Sequence, residues 1–468
     1  MEKKYDLAVI GGGPAGYEAA IRAAQLGFSV ALIEARDMGG TCLNRGCIPT
    51  KAILHSSGLY REAKKFSEIG LAADGLSFDF GTILRRKDQV VTELRTGIEK
   101  LLKANGVDCF EGRGFLESAE QITVTGSSGT QELRAGKILL ATGCVPSVPP
   151  IPGAELPGVV TSDGLLELDA LPRRLVIIGG GVIGAEFATA FSDLGCEVTI
   201  VEAMPRILPT MDREISQSLS MILKKRGVRV HSSAKVEQIA GGSPLVCRFT
   251  EKETENSAEA DLVLIAVGRK PATNDLFTEG LGIKTAKGFI LTDGHHETSL
   301  PGVFAVGDVT GGIQLAHAAS AQGIEAVEYM ARGTEPVRPR AISSCVYTSP
   351  EIACAGLCAD EAKQEGIEVT VGKALTASLG KSVIEHSERG FVKLVFAKQS
   401  GALIGAQLMC ERATDLIAGL VQAIDRRVTA RELASVIRPH PTFSEAVTEA
   451  AEDALGGAIH AMPRGRRA

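Results

Sequence analysis

One pattern is written twice in this chain, and it leaves few folds open. Tyr5-Asp6-Leu7-Ala8-Val9-Ile10 reads as a buried strand running into Gly11-Gly12-Gly13-Pro14-Ala15-Gly16, after which Tyr17 to Leu26 reads as a helix. Leu175-Val176-Ile177-Ile178 runs the same way into Gly179-Gly180-Gly181-Val182-Ile183-Gly184 and a helix from Ala185 to Leu194. In each copy a second strand ends in an acid: Glu34 after Val30-Ala31-Leu32-Ile33, Glu202 after Val198-Thr199-Ile200-Val201. Both acids fall 23 positions past the first glycine of their motif. A single glycine-rich turn is weak evidence, because any tight strand-to-helix turn uses glycine. Two copies in full strand, turn, helix, strand and acid context predict two Rossmann-type dinucleotide sites. Gly11, Gly13 and Gly16, and then Gly179, Gly181 and Gly184, let the backbone approach a pyrophosphate at a helix N-terminus, whose partial positive charge favours the anion. Glu34 and Glu202 are the matching ribose acceptors.

Each half has a later apolar strand closing on glycine. One is Lys137-Ile138-Leu139-Leu140-Ala141-Thr142-Gly143, the other Asp261-Leu262-Val263-Leu264-Ile265-Ala266-Val267-Gly268-Arg269. Ala141, Thr142, Gly143 and Gly268 therefore belong with the nucleotide-contacting positions. Pro146, Pro149, Pro150 and Pro152 read as a linker between the halves. A chain of 468 residues exceeds what one core organises, and 44% apolar residues suffice for several. From about Ala341, runs such as Phe391-Val392-Lys393-Leu394-Val395-Phe396 alternate with helical stretches, a separate α+β domain. The last dozen residues, with Arg464, Arg466 and Arg467, read as a mobile tail.

A net charge of -6 and 4% aromatic residues argue against a nucleic-acid partner. The most apolar stretch, Leu175 to Phe191, is broken by glycines and by Glu186, so no membrane span is expected. Met1-Glu2-Lys3-Lys4 runs almost at once into a strand and leaves no room for a signal peptide, which points to a reducing, cytoplasmic location. In that setting most of the ten cysteines are expected to be buried small hydrophobes without chemistry. Cys354 and Cys358 lack a second Cys or His pair at zinc-like spacing, and no metal site is expected. For the second nucleotide, Glu202 suits a 2′-hydroxyl and repels a 2′-phosphate. Ala203-Met204-Pro205 adds no cation, so NAD is preferred to NADP, with Arg206 the one cation nearby.

Two cysteines five positions apart follow the first motif, in Gly39-Gly40-Thr41-Cys42-Leu43-Asn44-Arg45-Gly46-Cys47-Ile48-Pro49-Thr50-Lys51. On a straight helix their Cα atoms would lie roughly 8 to 9 Å apart, whereas a disulfide wants about 4.4 to 6.8 Å. Gly46 and Pro49 offer freedom to bend the segment, so the spacing suits either a reactive bridge or two unrelated buried thiols. His440 is a candidate base, since imidazole titrates near working pH, and Glu445 would orient it; Thr442-x-x-Glu445 equally fits a helix capping box.

The thirteen-residue string resembles the redox-active motif of the pyridine nucleotide–disulfide oxidoreductases, most of all the branch that oxidises dihydrolipoyl groups with NAD+. The resemblance covers nearly the whole chain and is specific at four places: Gly11 to Gly16, Thr41 to Lys51, Gly302-Val303-Phe304-Ala305-Val306-Gly307-Asp308, and His440-Pro441-Thr442-Phe443-Ser444-Glu445. It implies an α/β fold of two Rossmann-like dinucleotide-binding domains and a C-terminal α+β dimerisation domain. The implied spans are 1–147 for the first part of an FAD domain, 148–270 for the NAD domain, 271–340 for the return to the first, and 341–468 for the interface. It further implies FAD in the first site, Glu34 on its adenosine ribose, Asp308 on its ribityl chain, and Ala316 opening a helix beside it. Lys51 and Glu186 would pair near the flavin. The family makes Cys42 and Cys47 a disulfide, Cys42 exchanging with substrate and Cys47 touching the flavin. It makes His440, oriented by Glu445, the base for the other subunit's cysteines in a homodimer.

The partners implied are a lipoyl domain or lipoyl carrier protein, namely a 2-oxo acid dehydrogenase core subunit or the H protein of glycine cleavage. The alternative is a sister reductase acting on glutathione or mercury. The former would want cations in place of Glu202 and usually carries a gating tyrosine where this chain has Val182. A mercuric reductase would carry a late cysteine pair, and none follows Cys410. A more remote alternative is a flavoprotein sensor or assembly subunit that has lost the chemistry; such a protein should lack a motif cysteine or the histidine, and both are here.

Overall fold

The structure, a computed structural model, describes residues 4–337 and 339–462; Arg464, Arg466 and Arg467 of the basic tail lie outside them. Lys4–Ile10 is the central strand of the first sheet, flanked in parallel by Val30–Glu34 and by Gly129–Leu140. Asp108–Glu111 extends one side, and an antiparallel meander of Arg113–Ser118 and Gln121–Gly126 extends the other. The second sheet repeats the plan. Arg174–Ile178 lies between Glu197–Glu202 and Leu262–Ile265, all parallel, but here the meander of Ala234–Ala240, Leu245–Glu251 and Thr254–Ala260 is a separate three-stranded sheet. Their near-continuous Val, Ile and Leu content is what strands covered on both faces require; Leu7, Val9, Val176 and Ile177 have no exposed surface.

The helices that serve the site are α1 (Pro14–Gln25), α2 (Gly40–Arg45), α3 (Cys47–Ala63), α4 (Phe80–Ala104), α5 (Val182–Asp193), α6 (Arg213–Lys225), α7 (Ala316–Arg332) and α8 (Glu445–Ala454). α1 and α5 begin three residues earlier than the sequence predicts. In α1, Pro14 occupies the first turn, where its missing N–H costs nothing and its fixed φ suits the helix. Both helices thus start inside the glycine motif, with their N-termini at the strand ends.

Val303–Ala305 pairs in parallel with Gly129–Leu140, so the chain re-enters the first sheet after completing the second. α7 then crosses α1 closely, because a Cβ on Gly323 would sit 2.4 Å from the Ala15 carbonyl oxygen. This brings Asp308 and the start of α7 against the first glycine turn. The C-terminal region is a five-stranded antiparallel sheet in the order Ser344–Val346, Ile352–Gly356, Leu403–Met409, Phe391–Ala397, Val369–Leu375. α8 lies on it, with space for only hydrogen at Gly372, 1.8 Å from the Ala450 oxygen if a Cβ were added. A charged latch ties this sheet to the second unit: Lys393 Nζ reaches Asp212 Oδ1 at 2.8 Å and Glu214 Oε2 at 3.1 Å, and Lys373 also pairs with Glu214. Among the described residues no helix is long and apolar enough to cross a membrane.

Gly16 and Gly184 do not line the cavity described below. A Cβ on Gly16 would sit 1.8 Å from the Gly11 oxygen, and one on Gly184 2.0 Å from the Gly179 oxygen. Both glycines allow the close approach of helix to strand end. Gly16→Ala or Gly184→Ala should therefore cost about 3 kcal/mol of stability through overpacking, measured by denaturant unfolding of the purified protein.

Candidate functional site

A continuous cavity of about 1750 Å³ runs between the two glycine turns and reaches the C-terminal sheet at Tyr347. Its ends are built alike. Gly11 (φ 109°) and Gly179 (φ 107°) adopt left-handed backbone, and a Cβ on either would strike the carbonyl of Ala141 or Ala266 at 2.3 or 2.4 Å. Gly13 and Gly181 precede α1 and α5, and neither helix has a side-chain cap, which leaves N–H groups facing the cavity for an anion. The acids repeat as well. Glu34 Oε2 accepts from the Gly12 N–H at 2.6 Å and Oε1 from Arg36 N–H at 2.8 Å; Glu202 accepts from Gly180 and Met204, both at 2.6 Å. Each carboxylate is thereby fixed beside its glycine turn.

Ala141, Thr142 and Gly143 line the first end and Gly268 the second. Asp308 and Ala316 line it between them. The Asp308 carboxyl accepts no hydrogen bond from the described residues, and burial pushes its pKa up, opposed by Arg269. A half-buried acceptor facing open cavity is a fit for ligand hydroxyls. Bare helix N-termini, glycine turns that exclude any Cβ and this unpartnered carboxyl together suit two dinucleotides. At the second end Arg206 is turned away, its guanidinium donating to the Pro209 and Met211 carbonyls at 3.0 and 3.4 Å. Lys235 lines that end, a cation the sequence reading missed because it lies on a distant strand; its partner is Glu237 at 3.4 Å.

The cysteine pair sits in the middle. α2 ends and α3 begins on either side of Gly46, so the segment is broken where the spacing demanded it. Only Gly46 makes the break: its Cβ would lie 3.0 Å from the Thr41 oxygen and 3.4 Å from Cys42 Cα. Pro49, expected to help bend the segment, lies in the first turn of α3, where proline is tolerated without a bend. Both cysteines are free thiols, half-buried, with Cys42 hydrogen-bonded to Cys47. That bond, with the Lys51 ammonium one helical turn away, brings Cys47 down to about 7 against burial. The same bond and burial drive Cys42 up. The two are inequivalent: Cys47 is the ready thiolate and Cys42 the protonated partner.

Lys51 Nζ bonds both oxygens of Glu186, at 2.7 and 2.9 Å, joining α3 to α5 beneath the cavity. Arg45 is committed to Asp37 at 2.7 Å, which it shares with Arg95 of α4, and so adds less to the field at the thiols. Two further thiols, Cys144 and Cys345, line the cavity although the sequence gave them no part. Burial holds them at about 12 and about 11, so they stay protonated. Cys109 is exposed, an exception to the burial expected of most of the cysteines.

His440 and Glu445 are brought together but lie outside the cavity. His440 Nδ1 meets Glu445 Oε1 at 2.8 Å, with the imidazole 75% exposed in the single chain. Glu445 Oε2 accepts the Thr442 N–H at 2.8 Å. The expected capping box does not form: α8 starts at Glu445 itself, after Ser444, and the Thr442 hydroxyl goes to the Pro439 carbonyl instead, so the second Glu445 oxygen ties the preceding loop. Burial opposes ionisation of Glu445, but the bonds from His440 and Thr442 outweigh it and hold the carboxyl below its usual range.

Residues 5–323 match the family model described as pyridine nucleotide-disulphide oxidoreductase, and 342–451 match that family's dimerisation domain. A dihydrolipoyl dehydrogenase of Bacillus subtilis is 38% identical over 98% of this chain and all of its own length. One of Chlorobaculum tepidum is 39% identical, covering 97% of this chain and 98% of that protein. Among solved structures, the HOCl-induced flavoprotein disulfide reductase RclA of Escherichia coli, as its Cu(II) complex, superposes with a TM-score of 0.87 at 30% identity, over 96% of this chain and 99% of that one. LpdA of Mycobacterium tuberculosis gives 0.86 at 29% identity, over 95% and 99%.

Proposed function

This chain belongs to the pyridine nucleotide-disulphide oxidoreductases, and on that footing we propose that it is a dihydrolipoyl dehydrogenase, oxidising protein-borne dihydrolipoyl groups with NAD+. The observation that carries the reading is the Cys42 and Cys47 pair, brought together across the helix break at Gly46 and set between two nucleotide cradles. The pair cycles between disulfide and dithiol. A substrate thiolate attacks Cys42, forming a mixed disulfide and releasing Cys47 as thiolate. The second substrate thiol then displaces Cys42, leaving a cyclic lipoyl disulfide and an enzyme dithiol.

A thiol held at about 7 is a good leaving group, and the Lys51 ammonium stabilises it. FAD, when bound along Gly11, Glu34 and Asp308, supplies the two-electron connection between the dithiol and NAD+ held at Gly179 and Glu202. Lys51 and Glu186 hold the cavity floor together, and Glu202 selects NAD+ by charge. The matched dimerisation domain supports a homodimer. His440 of the partner subunit takes the substrate thiol proton, and Glu445 steadies the imidazolium. The donor is a lipoyl domain or lipoyl carrier protein, of a 2-oxo acid dehydrogenase core or of glycine cleavage.

RclA supports a second reading, a reductase of another substrate on the same scaffold. Anaerobic turnover separates the two. Dihydrolipoamide should reduce the protein and drive NAD+ reduction, with NAD+ favoured over NADP+ by at least about a hundredfold in kcat/KM because of the Glu202 carboxylate. Robust turnover with glutathione and NADP+ alone would overturn the assignment.

A further inference from the structure

Tyr347 follows the strand Ser344–Val346 on the C-terminal sheet, yet its side chain stands in the cavity against Lys51. Lys51 Nζ lies 4.7 Å from the centroid of the Tyr347 ring, within cation–π range. The Tyr347 N–H donates to Glu186 Oε1 at 3.0 Å, the oxygen that Lys51 also bonds. The residues on either side are anchored: Val346 has no exposed surface, and Thr348, 4% exposed, donates its hydroxyl to the Pro350 carbonyl at 2.8 Å. The ring is therefore carried on a fixed segment, as a positioning group needs.

A lysine on four methylenes, 29% exposed at its side chain, has freedom to swing wholly toward Glu186 or solvent. Glu186 pulls the ammonium from one side, and the aromatic face holds it from another. We propose that Tyr347 is a positioning residue, whose ring fixes the Lys51 ammonium where it stabilises the Cys47 thiolate. The C-terminal sheet thereby reaches back to set the reactivity of the cysteine pair. The inference rests on the reading of Cys47 as the thiol that ionises.

The groups that act on Cys47 are Cys42 from α2, Lys51 from α3 and Glu186 from α5; Tyr347 faces Cys47 and Glu186, with Cys345 and Glu351 on its own side. Burial and the negative charges beside it push the Tyr347 phenol up to about 12, so the ring stays neutral across the working range. Of these groups, the Tyr347→Leu change deletes only the ring: the backbone N–H to Glu186 survives it. Tyr347→Phe keeps the aromatic face and removes the hydroxyl.

The test is the pH profile of iodoacetamide alkylation at Cys47 in the reduced holoenzyme, read on the Cys47 peptide by mass spectrometry. In Y347L the midpoint should rise by about 0.5 pH unit, a roughly threefold loss of rate below the midpoint. Y347F should superpose on the wild type, which shows that the site tolerates substitution. K51Q should shift the midpoint up by about 1 unit or more. A Y347L profile that coincides with wild type while K51Q moves overturns the proposal, as does a Y347F profile that matches Y347L. If K51Q also leaves the midpoint in place, the ammonium has no hold on Cys47 and the proposal falls, while dihydrolipoamide turnover remains the separate check on the reaction.

Discussion

Cys47→Ser should lower dihydrolipoamide-dependent NADH formation by at least about a thousandfold, because no disulfide is left for the substrate dithiol to reduce. A serine of nearly the same size leaves the break at Gly46 and the Lys51 and Glu186 pair in place, so the loss is chemical. Cys42→Ser should be as severe, but the thiol left behind behaves differently in each case. Cys42 is raised first by its hydrogen bond to Cys47 and then by burial. Without that neighbour its titration should move down toward the ordinary thiol range. Cys47 is lowered first by its bond from Cys42; a serine hydroxyl can still donate that bond, so Cys42→Ala is the variant in which Cys47 should titrate above about 7, with Lys51 and the local backbone still lowering it. Alkylation of each single-cysteine variant across pH, beside steady-state turnover, checks both statements. Undiminished turnover in either variant would remove the pair from the mechanism. Equal titration of the two remaining thiols would remove the division of labour between them.

That division came from the sequence only through the family resemblance, since the five-residue spacing treats the two cysteines alike, whereas the cradle geometry is written in local residues. Glycine at 11, 13, 179 and 181 with an acid 23 residues past the first of each pair is a local code, read by a local turn, and both acids do face their turns. The third glycine of each motif is contiguous with the others in sequence but separate in space: Gly16 and Gly184 lie in the first helical turn, packed against the Gly11 and Gly179 carbonyls, away from the cavity lining. Pro49 was misread because its effect depends on whether it falls before or inside the first helical turn. The Tyr347, Lys235 and Cys345 positions carry no local signal at all. They reach the cavity from strands far along the chain, and their approach depends on tertiary packing between units. Arg206 shows the converse: near Glu202 in sequence, its side chain is claimed by carbonyls of its own loop.

His440→Gln should lower the same turnover by about 10²- to 10⁴-fold, the range for a lost general base, and the larger result concerns where that base acts. In the single chain His440 is 75% exposed and outside the cavity that holds the cysteines. A base so placed serves Cys42 only if a second copy of the chain brings it there, which the matched dimerisation domain provides for. Mixing decides it. C47S and H440Q homodimers are each expected to be nearly inactive, one for want of the disulfide and the other for want of the base. Unfolded together and reassembled in equal amounts, half of the dimers pair one chain of each kind. If His440 acts across the interface, each mixed dimer has one site with both defects and one with neither, and the mixture regains about a quarter of wild-type turnover. If His440 acts on its own chain, every site keeps a defect and nothing is regained. Glu445→Gln belongs in the same experiment. Its carboxyl is held below the usual range, so it is ionised wherever the imidazole must accept a proton. Neutralising it should slow the same step in trans, so an E445Q chain should be rescued by C47S in the mixture as H440Q is.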